Sequence, residues 1–167
     1  MAKESSTVND YMAALGGVAV SATTMEHFLR EAFCSLIGSK FAAVVAGGQA
    51  VAWLIDQCEA LTGAHRELPR ATRDSIGGAL RLCHDANGRR NDLMHGLKAP
   101  TEIGLETIRS RRHTHVLAKK AWPLSEIKAV SHDLAVAGFG LHAAMVDALG
   151  QEVVDVGEAL RREGGMT

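Results

Sequence analysis

Apolar residues recur in alternating steps of three and four along most of this chain, which is the spacing of one face of an amphipathic helix. The first such stripe runs from Val8 to Leu36, with Thr7 or Asn9 as candidate caps and Gly38 as the predicted end. A glycine pair, Gly16-Gly17, interrupts it and favours either a close approach of another helix or a bend.

A second helix is predicted after the cap residue Ser39, and its stripe runs from Phe41 to Thr62. Gly47-Gly48 lies inside this stripe and leaves the same choice between close packing and a bend. Gly63 is the predicted end, and residues 63–68 are expected to form a loop.

A third helix is predicted to begin at Pro69, because the first turn of a helix does not need the N–H that proline lacks. Gly96 and then Pro100 are expected to end it. Its stripe starts with apolar residues but then takes in two polar ones, Asn87 and Arg90. Polar side chains on a core-facing stripe need an explanation, which is either structural or functional.

The pattern of apolar and polar residues changes after the third helix. Ile103, Leu105 and Thr107 alternate with polar residues, and a second alternating run ends at Leu117 after a short polar stretch. A period of two on both sides of a turn predicts a β-hairpin, over about residues 101–120. A fourth helix is expected between the cap residue Ser125 and Gly150, followed by a short helix from Glu152 to Arg162.

The predicted fold is therefore all-α: one domain over residues 1–167, built as an up-and-down four-helix bundle with a β-hairpin inserted between the third and fourth helices. A length of 167 residues suits a single domain, and 47% hydrophobic residues can supply its core. Only 4% are aromatic, which favours close-packed aliphatic helices. The net charge of −1 means that any contact with nucleic acid must come from a local basic patch.

The cysteines indicate a reducing compartment. Cys34, Cys58 and Cys83 are odd in number, far apart and surrounded by apolar residues, so we expect buried thiols and a cytoplasmic location. The polar N-terminus lacks the apolar core of a signal peptide. The apolar runs carry charges or paired glycines, so no membrane span is predicted.

Arg90, Asn91 and His95 are the candidate catalytic residues. Arginine binds phosphate, and histidine exchanges protons near neutral pH. Successive helical residues are about 100° apart, so Asn91 and His95 share a face while Arg90 lies about 140° from His95. A second copy of the helix crossing here would bring Arg90 of one chain to His95 of the other. RNA supplies its own 2′-hydroxyl nucleophile, so such a site needs neither a metal nor another cofactor.

Each of these residues also has a structural interpretation. The helix dipole favours a histidine in the last turn, which is where His95 lies. Arg90 can instead pair with Asp85, Glu59 or another acid in a buried network. Asn87 and Asn91 can hold the core by internal hydrogen bonds. Among eight histidines and many arginines, an arginine followed by a histidine at this spacing arises about once or twice by chance.

His84 and Asn87 are accessory candidates on the same helix. Both lie on the face of Asn91, one to two turns before it. We interpret His84 as a polar residue that faces a dimer partner, in preference to an additional proton carrier.

The run Arg90-Asn91-Asp92-Leu93-Met94-His95 at the end of the third helix of a four-helix bundle resembles the HEPN superfamily. The motif of that superfamily is an arginine, often followed by asparagine, with a histidine after four to six intervening residues. The resemblance implies an all-helical fold, dimerisation through the motif helices and, in many members, metal-independent endoribonuclease activity. It carries these roles to Arg90, Asn91 and His95 alone. Other members are non-catalytic dimerisation or scaffold modules.

The predicted hairpin is locally basic and could follow an RNA backbone, although a solvated surface explains the same residues. The candidate RNA-binding residues are Arg109, Arg111, Arg112, Lys119 and Lys120. His113 and His115 point to one side of a strand, but no third ligand stands at a recognisable spacing, so no metal site is predicted.

Taken together, these features predict a cytoplasmic homodimer that cleaves RNA in a toxin or phage-defence system, with RNA and an antitoxin or other protein as partners. The alternatives are a non-catalytic dimerisation module and a structural assembly protein.

Overall fold

The chain is mostly helical in a computed structural model, which describes residues 7–95, 97–101, 104–110 and 117–150. The short helix predicted from Glu152 to Arg162 lies outside these ranges. The described elements, in chain order, are α1 (Val8–Ile37), α2 (Ala42–Ala46), α3 (Val51–Ala64), α4 (Arg70–Met94), β1 (Leu97–Thr101), β2 (Gly104–Ser110), β3 (Leu117–Trp122) and α5 (Leu124–Leu149). The helical class and the antiparallel insertion before the last helix are confirmed.

The first predicted helix is confirmed at both ends. Thr7 caps α1 through a reciprocal pair of hydrogen bonds with Asp10, in which each side chain accepts from the backbone N–H of the other residue. Gly38 ends α1 in the left-handed conformation, with φ 63°, and its N–H donates to the Cys34 carbonyl. Gly16-Gly17 does not interrupt α1.

The second predicted helix is wrong as a single element, because Gly47-Gly48 divides it into α2 and α3. Gly47 has extended backbone angles and Gly48 has φ 72°, a conformation that glycine adopts without the penalty of a Cβ. Ser39 is not the cap: its Oγ accepts from the Phe41 N–H at 3.3 Å, and α2 begins at Ala42.

Proline residues precede the two remaining long helices. Pro69 is the N-cap of α4, one position before the first-turn place predicted for it. Pro123 is the N-cap of α5, so the prediction of Ser125 as the cap is wrong. Gly150 ends α5 with φ 75°, as predicted.

The helices α1 and α5 run parallel, side by side, which the sequence did not predict. Contacts along the pair join Ser21 to Ser131 (3.0 Å between hydroxyl oxygens), Met25 to Gly138, and the Phe28 ring to the His142 ring (4.6 Å between centroids). Residue numbers rise together along both helices, whereas a strict up-and-down bundle makes the first and last helices antiparallel. The strict alternation of directions is therefore wrong for this pair.

Between α4 and α5 the direction is antiparallel. The Cys83 thiol donates to the Ala137 carbonyl at 3.6 Å, and Arg89, further along α4, pairs with Asp133, earlier in α5. It follows that the C-terminal end of α4 and the N-terminal end of α1 lie at the same end of the packed helices α1, α4 and α5.

The insertion contains three described strands, in the order β1-β2-β3 with antiparallel pairing, where the sequence predicted only a hairpin. β1 includes Pro100, which pairs with Leu105. Proline is tolerated there because β1 is an edge strand and one of its sides needs no ladder hydrogen bonds. Trp122 ends β3 and is fully buried in the hydrophobic core, which ties the sheet to the helices. Within the sheet, its indole N–H donates to the Thr107 hydroxyl of β2 at 2.9 Å.

By length and composition, α5 could also cross a membrane: its most apolar window has a mean hydropathy of 1.2, with 39% of that window buried. The expectation that the chain has no membrane span therefore stays a prediction. One such helix is weak evidence of a span, because a core helix passes the same test, and α5 buries one face against α1 and α4.

Candidate functional site

Arg90, Asn91 and His95 lie at the C-terminal end of α4. His95 is the C-cap, and its backbone N–H donates to the Asn91 carbonyl at 3.1 Å, which fixes the last turn. The Asn91 side chain accepts through Oδ1 from Nη1 of Arg90 at 2.9 Å. Asn91 therefore links the other two candidate catalytic residues, Arg90 through its side chain and His95 through its backbone.

The Arg90 side chain is turned toward Asn91. Its Cα lies on the buried face of α4, in line with Cys83, yet Arg90 is only half-buried. Because its guanidinium reaches the Asn91 side chain, the cation is displaced toward the face that carries His95. The guanidinium therefore lies closer to the face of His95 than the angle of about 140° between the two Cα directions suggests.

The buried ion network considered for Arg90 is absent among the residues that the structure describes. Asp85 is exposed and its nearest recorded partner is His84, and neither Asp85 nor Glu59 pairs with Arg90. Only one of the five N–H donors of this guanidinium has a partner in the described ranges.

His95 is exposed, and no hydrogen bond joins it to Arg90 within the described part of the chain. The two Cα atoms are separated by five residues of helix, or about 7.5 Å of rise. One protomer thus presents a cation and an imidazole on neighbouring parts of one helix end without assembling them into a single catalytic pair.

Arg89 has a role that the sequence reasoning missed. It forms an ion pair with Asp133 of α5, and both side chains are about 40% exposed. Of two consecutive arginines, Arg89 therefore holds two helices together while Arg90 turns toward Asn91. The apolar stripe of α4 indicated only part of this difference, because it included Arg90 and left Arg89 at its edge.

The accessory candidates occupy different environments. Asn87 is buried, at 8% exposure, one turn before Asn91. His84 is exposed, and its Nδ1 lies 3.5 Å from the Asp85 carboxylate. The two residues share a broad face of α4, but only His84 is accessible to a partner.

Apolar surface is exposed close to the candidate site. Val8 and Met12, in the first turns of α1, are 73% and 62% exposed. They lie at the same end of the packed helices as the C-terminal end of α4. The outward face of α4 carries the exposed charged residues Arg81, Asp85 and Asp92 together with Leu82, which is 53% exposed.

The two lysines of β3 point to opposite faces of the sheet. Nζ of Lys120 lies 2.8 Å from the Glu126 carboxylate and 3.6 Å from the centre of the Trp122 ring, so its charge has partners within the chain. Lys119 is exposed. Arg109 belongs to β2, but its side chain, and all of residues 111–116 with Arg111, Arg112, His113 and His115, lie outside the described structure.

The cysteines are free thiols, two of them buried. Burial raises the pKa of Cys58 and of Cys83 to about 12, so neither is a nucleophile near neutral pH. Burial, followed by the nearby Glu31 carboxylate, also raises the pKa of the partly exposed Cys34. In the described ranges, no three His, Cys, Asp or Glu side chains gather closely enough to hold a metal ion.

Comparison of the chain with protein-family models, with curated proteins and with solved structures finds no match.

Proposed function

We propose that this protein is a homodimeric, metal-independent endoribonuclease of the HEPN type, with a composite site made by Arg90, Asn91 and His95. One observation carries the proposal: at the end of α4 a half-buried guanidinium, without a carboxylate partner among the described residues, is turned by Asn91 toward an exposed imidazole. A cation that no carboxylate neutralises within the described ranges, beside an accessible proton carrier, suits a phosphodiester.

The reaction requires one proton to be removed and one to be supplied. A base takes the proton of the RNA 2′-hydroxyl, and its oxygen attacks the adjacent phosphorus. The bond to the 5′-oxygen breaks, and an acid protonates that leaving group. The products carry a 2′,3′-cyclic phosphate and a 5′-hydroxyl. His95 of one subunit serves both roles in turn, opposite Arg90 of the other subunit: its neutral imidazole takes the 2′-hydroxyl proton, and the imidazolium that forms gives a proton to the 5′-oxygen.

Arg90 stabilises the negative charge that develops on the phosphate in the transition state. Asn91 acts as a positioning residue, because its Oδ1 accepts from Arg90 and its backbone carbonyl accepts from His95. Dimerisation completes the site, since Arg90 and His95 of one chain do not hydrogen-bond to each other. The exposed Val8 and Met12 supply apolar contact area at this end of the molecule.

RNA would reach the site along the basic sheet insertion. Lys119 is exposed for phosphate contact, and Arg109, Arg111 and Arg112 extend the basic surface by sequence. We place the protein in the cytoplasm, in a toxin or phage-defence system in which an antitoxin or another protein controls the site.

The test is cleavage of mixed RNA in the presence of a chelator by the parent protein, Arg90→Gln and His95→Gln. Each substitution is expected to lower the rate by about 10²–10³-fold, the size of effect that follows loss of a charge stabiliser or an acid–base group. Arg89→Gln is the matched control: it removes the adjacent arginine, should cost about 0–1 kcal/mol of stability through the Asp133 pair, and should leave cleavage within a few-fold of the parent. Cleavage that persists in both the Arg90 and His95 variants would exclude the proposed site.

A non-catalytic dimerisation module is the second candidate, and the buried Asn87 one turn before Asn91 favours it. In that case the polar end of α4 sets the register of two protomers. Arg90→Gln would then weaken the dimer in sedimentation measurements, and the parent would have no RNA cleavage to lose. An assembly larger than a dimer would favour a structural role instead.

A further inference from the structure

His65 lies where three segments of the chain meet: the end of α1, the end of α3 and the start of α4. It is the C-cap of α3, and its side chain is 31% exposed. Nε2 of the ring lies 2.6 Å from the Leu36 carbonyl oxygen, near the end of α1, and Nδ1 contacts the Glu67 carboxylate.

Both of these partners are acceptors. A neutral imidazole has one N–H and can donate to only one of them, whereas the imidazolium donates to both at once. The geometry at His65 is therefore that of the protonated ring.

The Leu36 carbonyl is one of the last four in α1, which have no partner within the helix. The last turn of α1 contains no basic residue of its own. A positive charge at a helix C-terminus is favourable, and His65 supplies it from a distant part of the sequence.

The charged groups around His65 are few. Glu67 approaches it from the loop that follows α3. From α4, Arg73 donates through Nη1 to the His65 backbone carbonyl at 3.3 Å. From α1 the contact is the Leu36 carbonyl, because residues 34–37 carry no charged side chain.

We propose that His65 is a pH-dependent clamp: as the imidazolium it joins the end of α1 to the loop before α4, and loss of its proton releases one of the two hydrogen bonds. The clamp is independent of the proposed nuclease site, which lies at the opposite end of α4.

The direction of the pH effect follows from the same contacts. The Glu67 hydrogen bond, and then the Leu36 carbonyl, raise the pKa of His65 above its ordinary value. A raised folded-state pKa gives stabilisation that is fully present below the unfolded value of about 6.5 and is lost as the pH rises through the folded value. The helical ends are thus held more firmly in mildly acidic medium.

Nitrogen-15 NMR of the histidine rings in the whole protein tests the clamp, with His65→Gln identifying the His65 signals by their loss. At pH 7 we expect a larger imidazolium fraction for His65 than the roughly one quarter of an imidazole of ordinary pKa. A ring that is no more protonated at pH 7 than an ordinary imidazole would overturn the proposal.

Thermal unfolding gives a second readout. Glutamine can still donate to the Leu36 carbonyl, so His65→Gln retains one of the two contacts. The Tm difference between the parent and this variant should shrink from pH 6 to pH 9. The matched control is His27→Gln, which removes an exposed imidazole with a carboxylate neighbour, Glu31, and should follow the parent across this range. A His65→Gln difference that is constant or grows with pH would overturn the clamp. If His65→Gln does not fold, the ring signals of the parent protein decide the question.

Discussion

Replacing Gly138 by alanine tests the close, parallel packing of α5 on α1. A Cβ at this position would lie 3.0 Å from the Met25 Cα and 3.3 Å from its Cβ, which is tighter than nine in ten real Cβ contacts. The two helices would have to move apart, because the obstructing atoms belong to the backbone and cannot rotate away. Such overpacking costs about 1–3 kcal/mol.

Gly140→Ala, two residues further along the same helix, is the matched control. A Cβ at Gly140 meets nothing within 4 Å, and the position is exposed. Both substitutions gain about 1 kcal/mol from the higher helix propensity of alanine, so this contribution cancels in the comparison. What is left is the cost of the contact with Met25, and Gly138→Ala should be less stable than Gly140→Ala by about 1–3 kcal/mol.

Urea denaturation followed by circular dichroism measures the difference. The midpoint of Gly138→Ala should fall below that of Gly140→Ala, with similar slopes for both transitions. Equal midpoints would show that α5 does not approach α1 closely at Gly138.

Two further predictions concern buried groups. Thr107→Val keeps the shape of a buried side chain but removes the acceptor for the Trp122 indole N–H, and should lower the free energy of unfolding by about 1–3 kcal/mol; an unchanged denaturation midpoint would contradict this contact. At pH 8 a thiol reagent should label Cys34 first and reach Cys58 and Cys83 only on unfolding, because burial raises the pKa of the latter two to about 12. Equal labelling rates for all three cysteines would refute this.

The long helices were predictable because their stripes are long and their ends carry clear signals. Thr7 and Gly38 bound α1 where the sequence places them. The division of the second helix was harder to predict from the sequence, because a stripe of apolar residues continues through a sharp bend as readily as through a straight helix. Only the backbone conformation at Gly48 decides between the two.

The strand β1 was missed because Pro100 is ordinarily a signal against a strand. The edge position that makes proline acceptable depends on the order of strands in the sheet, which is a property of the whole insertion. The directions of α1 and α5 are likewise set by packing between elements more than a hundred residues apart.

At the candidate site, periodicity predicts that Asn91 and His95 share a face at the end of α4 and that Arg90 lies on another. It could not show that the Arg90 side chain turns to Asn91, nor that Arg89 pairs with Asp133. These contacts depend on side-chain conformation and on a neighbouring helix. The hydrophobic pattern of one helix gives no information about either.

The composite nature of the site is tested most directly by mixing two inactive variants, Arg90→Ala and His95→Ala, and allowing their subunits to exchange. Each mixed dimer keeps one Arg90 and one His95 on different chains. Random exchange makes about half of all dimers mixed, so RNA cleavage should reappear at no more than about half of the parental rate. A mixture as inactive as either variant alone would contradict a site shared between two protomers.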